Sequence, residues 1–186
     1  LSNLTLTSGV TQTSLGGAGT AVGFKYDPVS ANLDSLAAGD TLTVSYVVQV
    51  TDGIATSSQT VTFSIIGTND PAIITGTITG AVIEAGGVNN TITGTPQATG
   101  TLTDTDVDNT PNLFTSATSV STTYGTYSMT PGSGLASGSG GVWTYTVNNN
   151  NTAVQALNDG TGGSSAATLT DTFTVTTIDG TSQTIS

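Results

Sequence analysis

Cysteine and histidine are both absent from the 186 residues, and the chain has a single basic residue, Lys25. Without cysteine no disulfide can form, and without either residue type the chain cannot build a metal site that needs sulfur or imidazole ligands. Surfaces that bind nucleic acid or anionic membranes need clustered lysine and arginine. Together with a formal net charge of −11, this excludes nucleic acid and anionic membranes as partners.

Charged residues make up only 7% of the chain, and long apolar runs are missing too. No run reaches the roughly 20 residues that a helix needs to cross a bilayer, so we expect no membrane insertion. Low charge can indicate disorder, but disordered segments also lack hydrophobic and β-branched residues. Here 35% of the residues are hydrophobic, and Val, Ile and Thr often alternate, as in half-buried strands. The composition therefore predicts an all-β fold.

The absence of histidine and cysteine also bears on catalysis, because it removes the commonest general base and the thiol nucleophile. A hydrolase that uses paired carboxylates is still formally possible. The only dense group of acids in the chain, however, has the alternating spacing of a cation site. We therefore expect that this protein is not an enzyme.

Two stretches of the chain repeat each other, 127 residues apart. Thr41–Gly53 reads TLTVSYVVQVTDG and Thr168–Gly180 reads TLTDTFTVTTIDG, and a similar strand follows each of them. For the first copy, the alternation of apolar and polar residues predicts a β-hairpin across its Asp-Gly turn. A period of this length suits an autonomous sandwich domain, because solenoid repeats typically have about 20 to 50 residues.

A pair of aromatic residues recurs upstream of these stretches. Phe24 and Tyr26 correspond to Trp143 and Tyr145, with one residue between the two rings in each copy. This spacing puts both rings of a pair on one face of a strand. We predict that they belong to sandwich cores, because small β domains bury their few large rings.

The repeat predicts how the chain is divided. Residues 1–66 are expected to form the C-terminal part of one β-sandwich repeat, residues 67–72 a linker, and residues 73–186 the next repeat, lacking the end of its last strand. The chain begins without a Met or a basic region. We therefore expect it to be a piece of a longer protein.

Several blocks, in this order, resemble the VCBS repeat: GTNDPAIITG from Gly67, ATGTLTDTDVDN from Ala98 and LTDTFTVTTIDGTSQTI from Leu169. The VCBS repeat is a cadherin-like and immunoglobulin-like domain found many times over in large bacterial surface proteins, including RTX-type adhesins. The resemblance spans residues 67–186. It implies tandem immunoglobulin-like or cadherin-like β-sandwich domains arranged as beads on a string, and export to the bacterial cell surface.

Asp104, Asp106 and Asp108 form an alternating Asp-x-Asp-x-Asp. In a loop, such carboxylates can converge on one centre, and calcium takes six to eight oxygen ligands. Because the chain has no His or Cys, an all-oxygen site for a hard cation is the only kind of metal site it can form. The alternative is a solvated acidic loop, in which Asp is present because it favours turns.

Further oxygen donors lie near the predicted junction of the two repeats, where the resemblance to cadherin-like domains implies shared calcium ions. Asp52 is a weaker candidate, because its turn can lie at either end of the first repeat. Glu84 belongs to a Glu-Ala-Gly motif, where many such arrays have Glu-Asp-Gly. The predicted Ca²⁺ ligands are Asp52, Asn69, Asp70, Glu84, Asp104, Asp106 and Asp108.

These features favour a structural extender or adhesive repeat of a secreted protein, stiffened by calcium at the junction, with neighbouring repeats of the same chain as its partners. A ligand-binding adhesin module, recognising a glycan or a protein, is one alternative. A self-assembling filament or sheath subunit is another, because weakly charged edge strands are open to strand addition by other copies.

Overall fold

The computed structural model describes residues 4–6, 23–28, 31–51, 53–132, 140–157 and 167–186. The chain divides into two compact units, Leu1–Thr68 and Asn69–Ser186. The boundary falls inside the predicted linker, residues 67–72. Among the predicted cation ligands, Asp52 lies outside the described residues.

The first unit contains two antiparallel pairs of strands. β1 (Leu4–Leu6) pairs with β2 (Phe24–Tyr26), and β3 (Thr41–Thr51) pairs with β4 (Thr56–Ile66). The β3–β4 ladder runs in register from Thr41↔Ile66 to Thr51↔Thr56. This confirms the hairpin that the alternation of apolar and polar residues predicted.

Aromatic rings hold the strands of the first unit together. The Phe63 ring stacks on the Tyr26 ring with their centroids 4.6 Å apart, and it meets the Phe24 ring edge-on at 5.9 Å. Tyr46 lies 6.0 Å from Tyr26. Rings from β2, β3 and β4 therefore share one cluster, and such pairs contribute about 0.5–1.5 kcal/mol each beyond the area they bury.

The second unit is built on a five-stranded antiparallel sheet with the order β5-β6-β9-β8-β7. Its strands are β5 (Ile73–Gly76), β6 (Gln97–Thr105), β7 (Ala117–Ser121), β8 (Gly125–Pro131) and β9 (Gly140–Val147). Trp143, Tyr145 and Val147 are buried along β9, as their spacing predicted. One face of this sheet therefore forms one side of the core.

The other side of the core is a shorter sheet, in which β10 (Phe173–Thr176) pairs with β11 (Ser182–Ile185). Phe114 bridges to Thr177 at the end of β10. Beside β11, Ser186 accepts a hydrogen bond from the backbone of Gly80 and donates one to Ile78, which is a parallel arrangement. A one-turn helix, α1 (Thr152–Gln155), buries Val154.

Among the residues that the structure describes, ten buried hydrophobic side chains fill the space between the two sheets. Phe173 of β10 lies at the centre, stacked on Tyr127 at 4.4 Å and edge-on to Trp143 at 5.8 Å. The Trp143 indole donates to the carbonyl of Thr77 at 2.7 Å and lies against the backbone of Gly100. A Cβ at Gly100 would be 2.6 Å from that indole, which explains why glycine stands there.

The repeated aromatic residues contact one another in both units, but Trp143 is 1% exposed whereas its counterpart Phe24 is 47% exposed, so the predicted core position of Phe24 is wrong. Tyr145 and Phe173 lie 6.1 Å apart in the second unit, and their counterparts Tyr26 and Tyr46 lie 6.0 Å apart in the first. The two rings are nearly parallel in the second unit, at 4°, and inclined at 54° in the first, so the repeat extends to the contact but not to its geometry. Within the described parts of both units, no helix has the length and hydrophobicity needed to span a bilayer.

Candidate cation site

Asp104 is a buried acid near the end of β6. The alternation that turns Leu102 into the core turns Asp104 the same way, and only 1% of its surface is exposed. Its Oδ1 atom has no hydrogen-bond partner among the described residues. A buried polar atom without a partner costs roughly 2–7 kcal/mol, so an arrangement of this kind usually has a functional reason.

Burial, and then the nearby carboxylates of Asp179 and Asp106, raise the pKa of Asp104 to about 6. All three causes disfavour its charged form. A bound cation acts in the opposite direction, because it stabilises a carboxylate that burial and like charges destabilise. The position of Asp104 therefore suits a metal ligand better than it suits an isolated ion.

Asp106 and Asp108 lie in the tight turn that follows β6. The Oδ1 atom of Asp106 accepts hydrogen bonds from the backbone N–H groups of Asp108 and Asn109, at 3.1 and 3.0 Å. Burial, and then its neighbour Asp108, raise the pKa of Asp106. The backbone N–H of Asp70 donates to Asp108 at 2.9 Å and is the main cause that lowers the pKa of Asp108.

Asn69 and Asp70 are tied to this turn. The Oδ1 atom of Asn69 accepts a hydrogen bond of 2.7 Å from the side chain of Asn109, and the backbone of Asp70 is held by Asp108. The first residues of the second unit are thus fixed by the acidic turn, although they are far from it in sequence. The amide oxygen of Asn69 and the backbone N–H of Asp70 therefore lie beside the acidic turn.

Asp179, which the sequence analysis did not select as a ligand, belongs to the same group of acids. Burial alone would raise its pKa, but hydrogen bonds from the hydroxyl groups of Thr177 and Thr181 outweigh it and lower the pKa to about 2. The Thr181 hydroxyl donates at 2.6 Å, and the backbone N–H of Ala72 approaches at 3.4 Å. The 127-residue offset makes Asp179 the counterpart of Asp52, which is the signal that identifies it.

Asn112 is the second residue that the sequence analysis missed. It is 5% exposed, and its Oδ1 atom is buried without a hydrogen-bond partner among the described residues. The Phe114↔Thr177 bridge, and the hydrogen bond from Ile178 to Leu113, run the chain antiparallel to the end of β10. That register leads Asn112 towards Asp179. No local pattern in the sequence marks it.

Glu84 does not join this group. The Ile83↔Thr95 bridge places it beside the residues that precede β6, whereas Asp104 lies near the other end of that strand. At about 3.3 Å per residue, the nine residues from Thr95 to Asp104 separate them by roughly 30 Å. Glu84 accepts a hydrogen bond of 3.2 Å from Gln155 instead.

The chemistry of this end of the second unit is that of an oxygen-lined acidic cluster. Carboxylates from two segments, residues 104–108 and the turn after β10, lie near each other there, and two buried oxygens, on Asp104 and Asn112, have no hydrogen-bond partner among the described residues. Within the described part of the chain, no three acidic side chains converge closely enough to hold a metal ion as they stand. Calcium also accepts amide and backbone oxygens, and four carboxylates would draw together only around a charge that cancels their repulsion.

The arrangement therefore combines acids gathered by the fold, buried acceptors without donors, and threonine hydroxyls that fix one carboxylate in place. Comparison with known proteins adds nothing to this assignment. No protein-family model matches the chain, and no curated protein matches it.

Proposed function

We propose that this chain is a calcium-binding structural repeat of a secreted bacterial surface protein, built from tandem immunoglobulin-like or cadherin-like β-sandwich domains. Neighbouring repeats of the same chain are its partners, and it carries no catalytic activity. The internal repeat of sequence supports the tandem arrangement. The resemblance to the VCBS repeat supports export to the cell surface.

The observation that carries the calcium proposal is the buried Oδ1 atom of Asp104, which lies near other acids and has no hydrogen-bond partner among the described residues. Asp106, Asp108 and Asp179 are the further carboxylate ligands, and Asn112 supplies a neutral oxygen. Together with backbone carbonyls or water, these donors reach the six to eight oxygens that calcium takes. All of these ligands bind through oxygen, which matches a hard cation and not the softer metals.

The mechanical effect follows from what the acids hold. Asp108 accepts from the backbone of Asp70, and Asp179 and Thr181 accept from the backbone of Ala72. Calcium that fixes these carboxylates also fixes the segment that leads into the second unit. A repeat ordered in this way suits an extender, whose task is to keep its shape under load rather than to bind a substrate.

The calcium proposal is tested by calorimetric titration of the whole chain. We expect binding in the range of about 10⁻⁴–10⁻³ M that is typical of extracellular modules. Asp104→Asn should weaken it at least tenfold, whereas Glu84→Gln, a matched loss of one carboxylate at the other end of β6, should leave it unchanged. No calcium-dependent heat, or equal effects of the two variants, would contradict the proposal.

Of the two alternatives, a glycan-binding module has less support. The rings of Trp143, Tyr145 and Phe173 in the second unit are at most 8% exposed, so they are not available for a sugar to stack on. Binding of the isolated chain to a glycan array would reverse this order. The other alternative, a self-assembling filament or sheath subunit, rests on the weakly charged edge strands.

A further inference from the structure

Six asparagines lie at the Glu84 end of the second unit, away from the candidate cation site. They come from two stretches of the chain, residues 89–90 and 148–151. The side chain of Asn90 donates to the backbone carbonyl of Asn149 at 3.3 Å, and the side chain of Gln155 donates to the same carbonyl at 2.6 Å and to the Asn90 side chain at 2.8 Å. These contacts hold the two stretches together.

Four of the six asparagine side chains maintain this local structure. Those of Asn148 and Asn149 each accept a hydrogen bond of 3.0 Å from a backbone N–H group. That of Asn151 accepts from the first backbone N–H groups of α1 and so caps this helix. Asn90 is the fourth, through its bond to Asn149. Asparagine is favoured at such positions, because its side chain satisfies backbone groups in turns and at helix starts.

Asn89 and Asn150 are the other two, and their side chains have no hydrogen-bond partner in the part of the chain that the structure describes. Both residues are exposed, Asn89 in a single 3₁₀ turn and Asn150 in the turn that precedes α1. The positive φ of Asn89, 56°, is one that asparagine tolerates. Asn150 has no such backbone constraint. The local fold therefore gives no reason for an asparagine at residue 150.

The two asparagines that the local structure does not use are the two that begin an Asn-x-Thr sequon. The sequons are Asn89-Asn90-Thr91 and Asn150-Asn151-Thr152, and no other asparagine among the described residues begins one. Asn3 begins a third and lies outside the described residues. Asn-x-Thr is the acceptor motif of N-linked glycosylation and belongs on surface loops of secreted proteins. Both threonines are exposed as well.

We propose that Asn89 and Asn150 are acceptor sites for N-linked glycosylation by a sugar that is activated as a diphosphate ester, on a nucleotide or on a lipid. The Nδ2 atom of the asparagine bonds to the anomeric carbon of the sugar. The bond from that carbon to the diphosphate oxygen breaks, the diphosphate leaves with the electron pair, and a base of the transferase takes one proton from Nδ2. The proposal rests on the secretion that the proposed function includes, and not on its calcium site.

The test uses the full folded chain carrying Asn3→Gln, so that only the two sequons at this end are counted. One arm supplies a soluble N-glycosyltransferase with UDP-glucose, and the other a membrane oligosaccharyltransferase with a lipid-linked oligosaccharide. Intact mass spectrometry should show two sugar groups per chain in at least one arm. Asn89→Gln or Asn150→Gln should each remove one group, and the two changes together should remove both.

A matched pair of variants separates the acceptor motif from the shape of the turn. Thr91→Val keeps the size of the side chain but removes the motif, and it should abolish modification of Asn89. Thr91→Ser keeps the motif and should retain the modification. Equal modification of these two variants would overturn the proposal.

Two further results would also overturn the proposal. One is an unmodified folded chain in both arms, and peptides of residues 86–94 and 147–155 would then show whether the fold or the sequence prevents transfer. The other is a glycosylated chain whose calcium affinity differs more than about twofold from that of the unmodified chain, because the sugars would then lie near the cation site. The number of attached sugars does not depend on calcium, so failure of the calcium proposal would produce neither result.

Discussion

Asp171 and Asp104 are two carboxylates at opposite ends of the core of the second unit, and their pKa values are shifted in opposite directions. The Oδ2 atom of Asp171 accepts hydrogen bonds from the Thr122 hydroxyl, the Tyr124 backbone and the Tyr145 hydroxyl, at 2.6, 2.9 and 2.9 Å. Burial would raise its pKa, but these donors lower it. Asp104 is buried near like charges, its Oδ1 atom has no donor in the part of the chain that the structure describes, and its pKa is raised.

The difference separates a structural carboxylate from a candidate ligand. The protein provides Asp171 with hydrogen-bond donors, so the charged form of Asp171 stabilises the fold without any bound ion. The described residues provide no donor to the Oδ1 atom of Asp104, so the charged form of Asp104 destabilises the fold until a bound cation compensates it. Acidity and burial alone do not distinguish these roles, but the inventory of hydrogen-bond donors does.

The largest effect is expected from Asp171→Ala. The change removes an acceptor that three donors share and leaves the Tyr145 hydroxyl without a partner in an 8% exposed residue. The free energy of unfolding at pH 7 should fall by about 3–4 kcal/mol, since hydrogen bonds to charged groups contribute about 1.5–3 kcal/mol each and are not additive. Urea denaturation measures the change.

The control for that prediction is pH. Because the folded-state pKa of Asp171 is lowered, its contribution is present above the pKa of the unfolded chain, about 4, and is lost as the pH falls through the lower folded value. The difference in stability between the wild type and Asp171→Ala should therefore shrink below pH 4. A difference that does not change with pH would contradict the account.

Asp104→Asn should have the opposite sign in calcium-free solution. With a folded pKa of about 6 against 3.8, the charged form of Asp104 costs about 3 kcal/mol at pH 7. The neutral variant should be more stable by about 2–3 kcal/mol without calcium. Because the folded pKa is raised, this advantage should decline as the pH falls from 6 to 4.

Calcium should reverse the order of stability of the wild type and the Asp104→Asn variant. At millimolar calcium the wild type should gain stability and the Asp104→Asn variant should not, which thermal unfolding in matched buffers would show. A variant that is less stable than the wild type in both conditions would mean that Asp104 is already compensated by the protein.

Asp179→Ala should lower the free energy of unfolding in calcium-free solution, by less than Asp171→Ala does. The hydrogen bonds from Thr177 and Thr181 hold the pKa of Asp179 at about 2 against 3.8, which corresponds to about 2 kcal/mol at pH 7. This contribution is present above the unfolded pKa and is lost as the pH falls from about 4 towards 2. Asp34→Ala, at an exposed position of the first unit, is the control and should change stability by less than about 0.5 kcal/mol.

The smallest effect is expected at the end of the sheet where Glu84 lies. Gln155 donates to Glu84, to Asn90 and to the carbonyl of Asn149, but these contacts are exposed. Gln155→Ala should lower the free energy of unfolding by about 1 kcal/mol or less. It should leave the affinity for calcium unchanged. A change of more than twofold in the affinity measured by calorimetry would contradict the assignment of the calcium site to the Asp104 end alone.

Much of the fold could be predicted from the sequence, because strands carry local signals. The alternation around Trp143 and the hairpin formed by β3 and β4 were both correctly predicted. The acidic turn after β6 was visible as well, since Asp104, Asp106 and Asp108 are adjacent in the chain. Local spacing was sufficient wherever the residues involved were neighbours in sequence.

The rest of the candidate site depends on pairing between distant segments. Asn112 and Asp179 approach each other only because the chain around Phe114 pairs with the end of β10. Glu84 is distant from Asp104 because the Ile83↔Thr95 bridge sets it at the start of β6 rather than at its end. Neither register has a signal in composition or spacing, so the sequence indicated the chemistry but not the full set of residues.

The central claim is that calcium binds at the Asp104 end of the second unit and not at the Glu84 end. It is tested most directly by NMR, with calcium titrated into the ¹⁵N-labelled chain while the side-chain amide signals of Asn112 and Gln155 are followed. The account predicts a saturable shift of Asn112 and none of Gln155. An unmoved Asn112 signal at about 10 mM calcium, well above the 10⁻⁴–10⁻³ M range of extracellular modules, would contradict it.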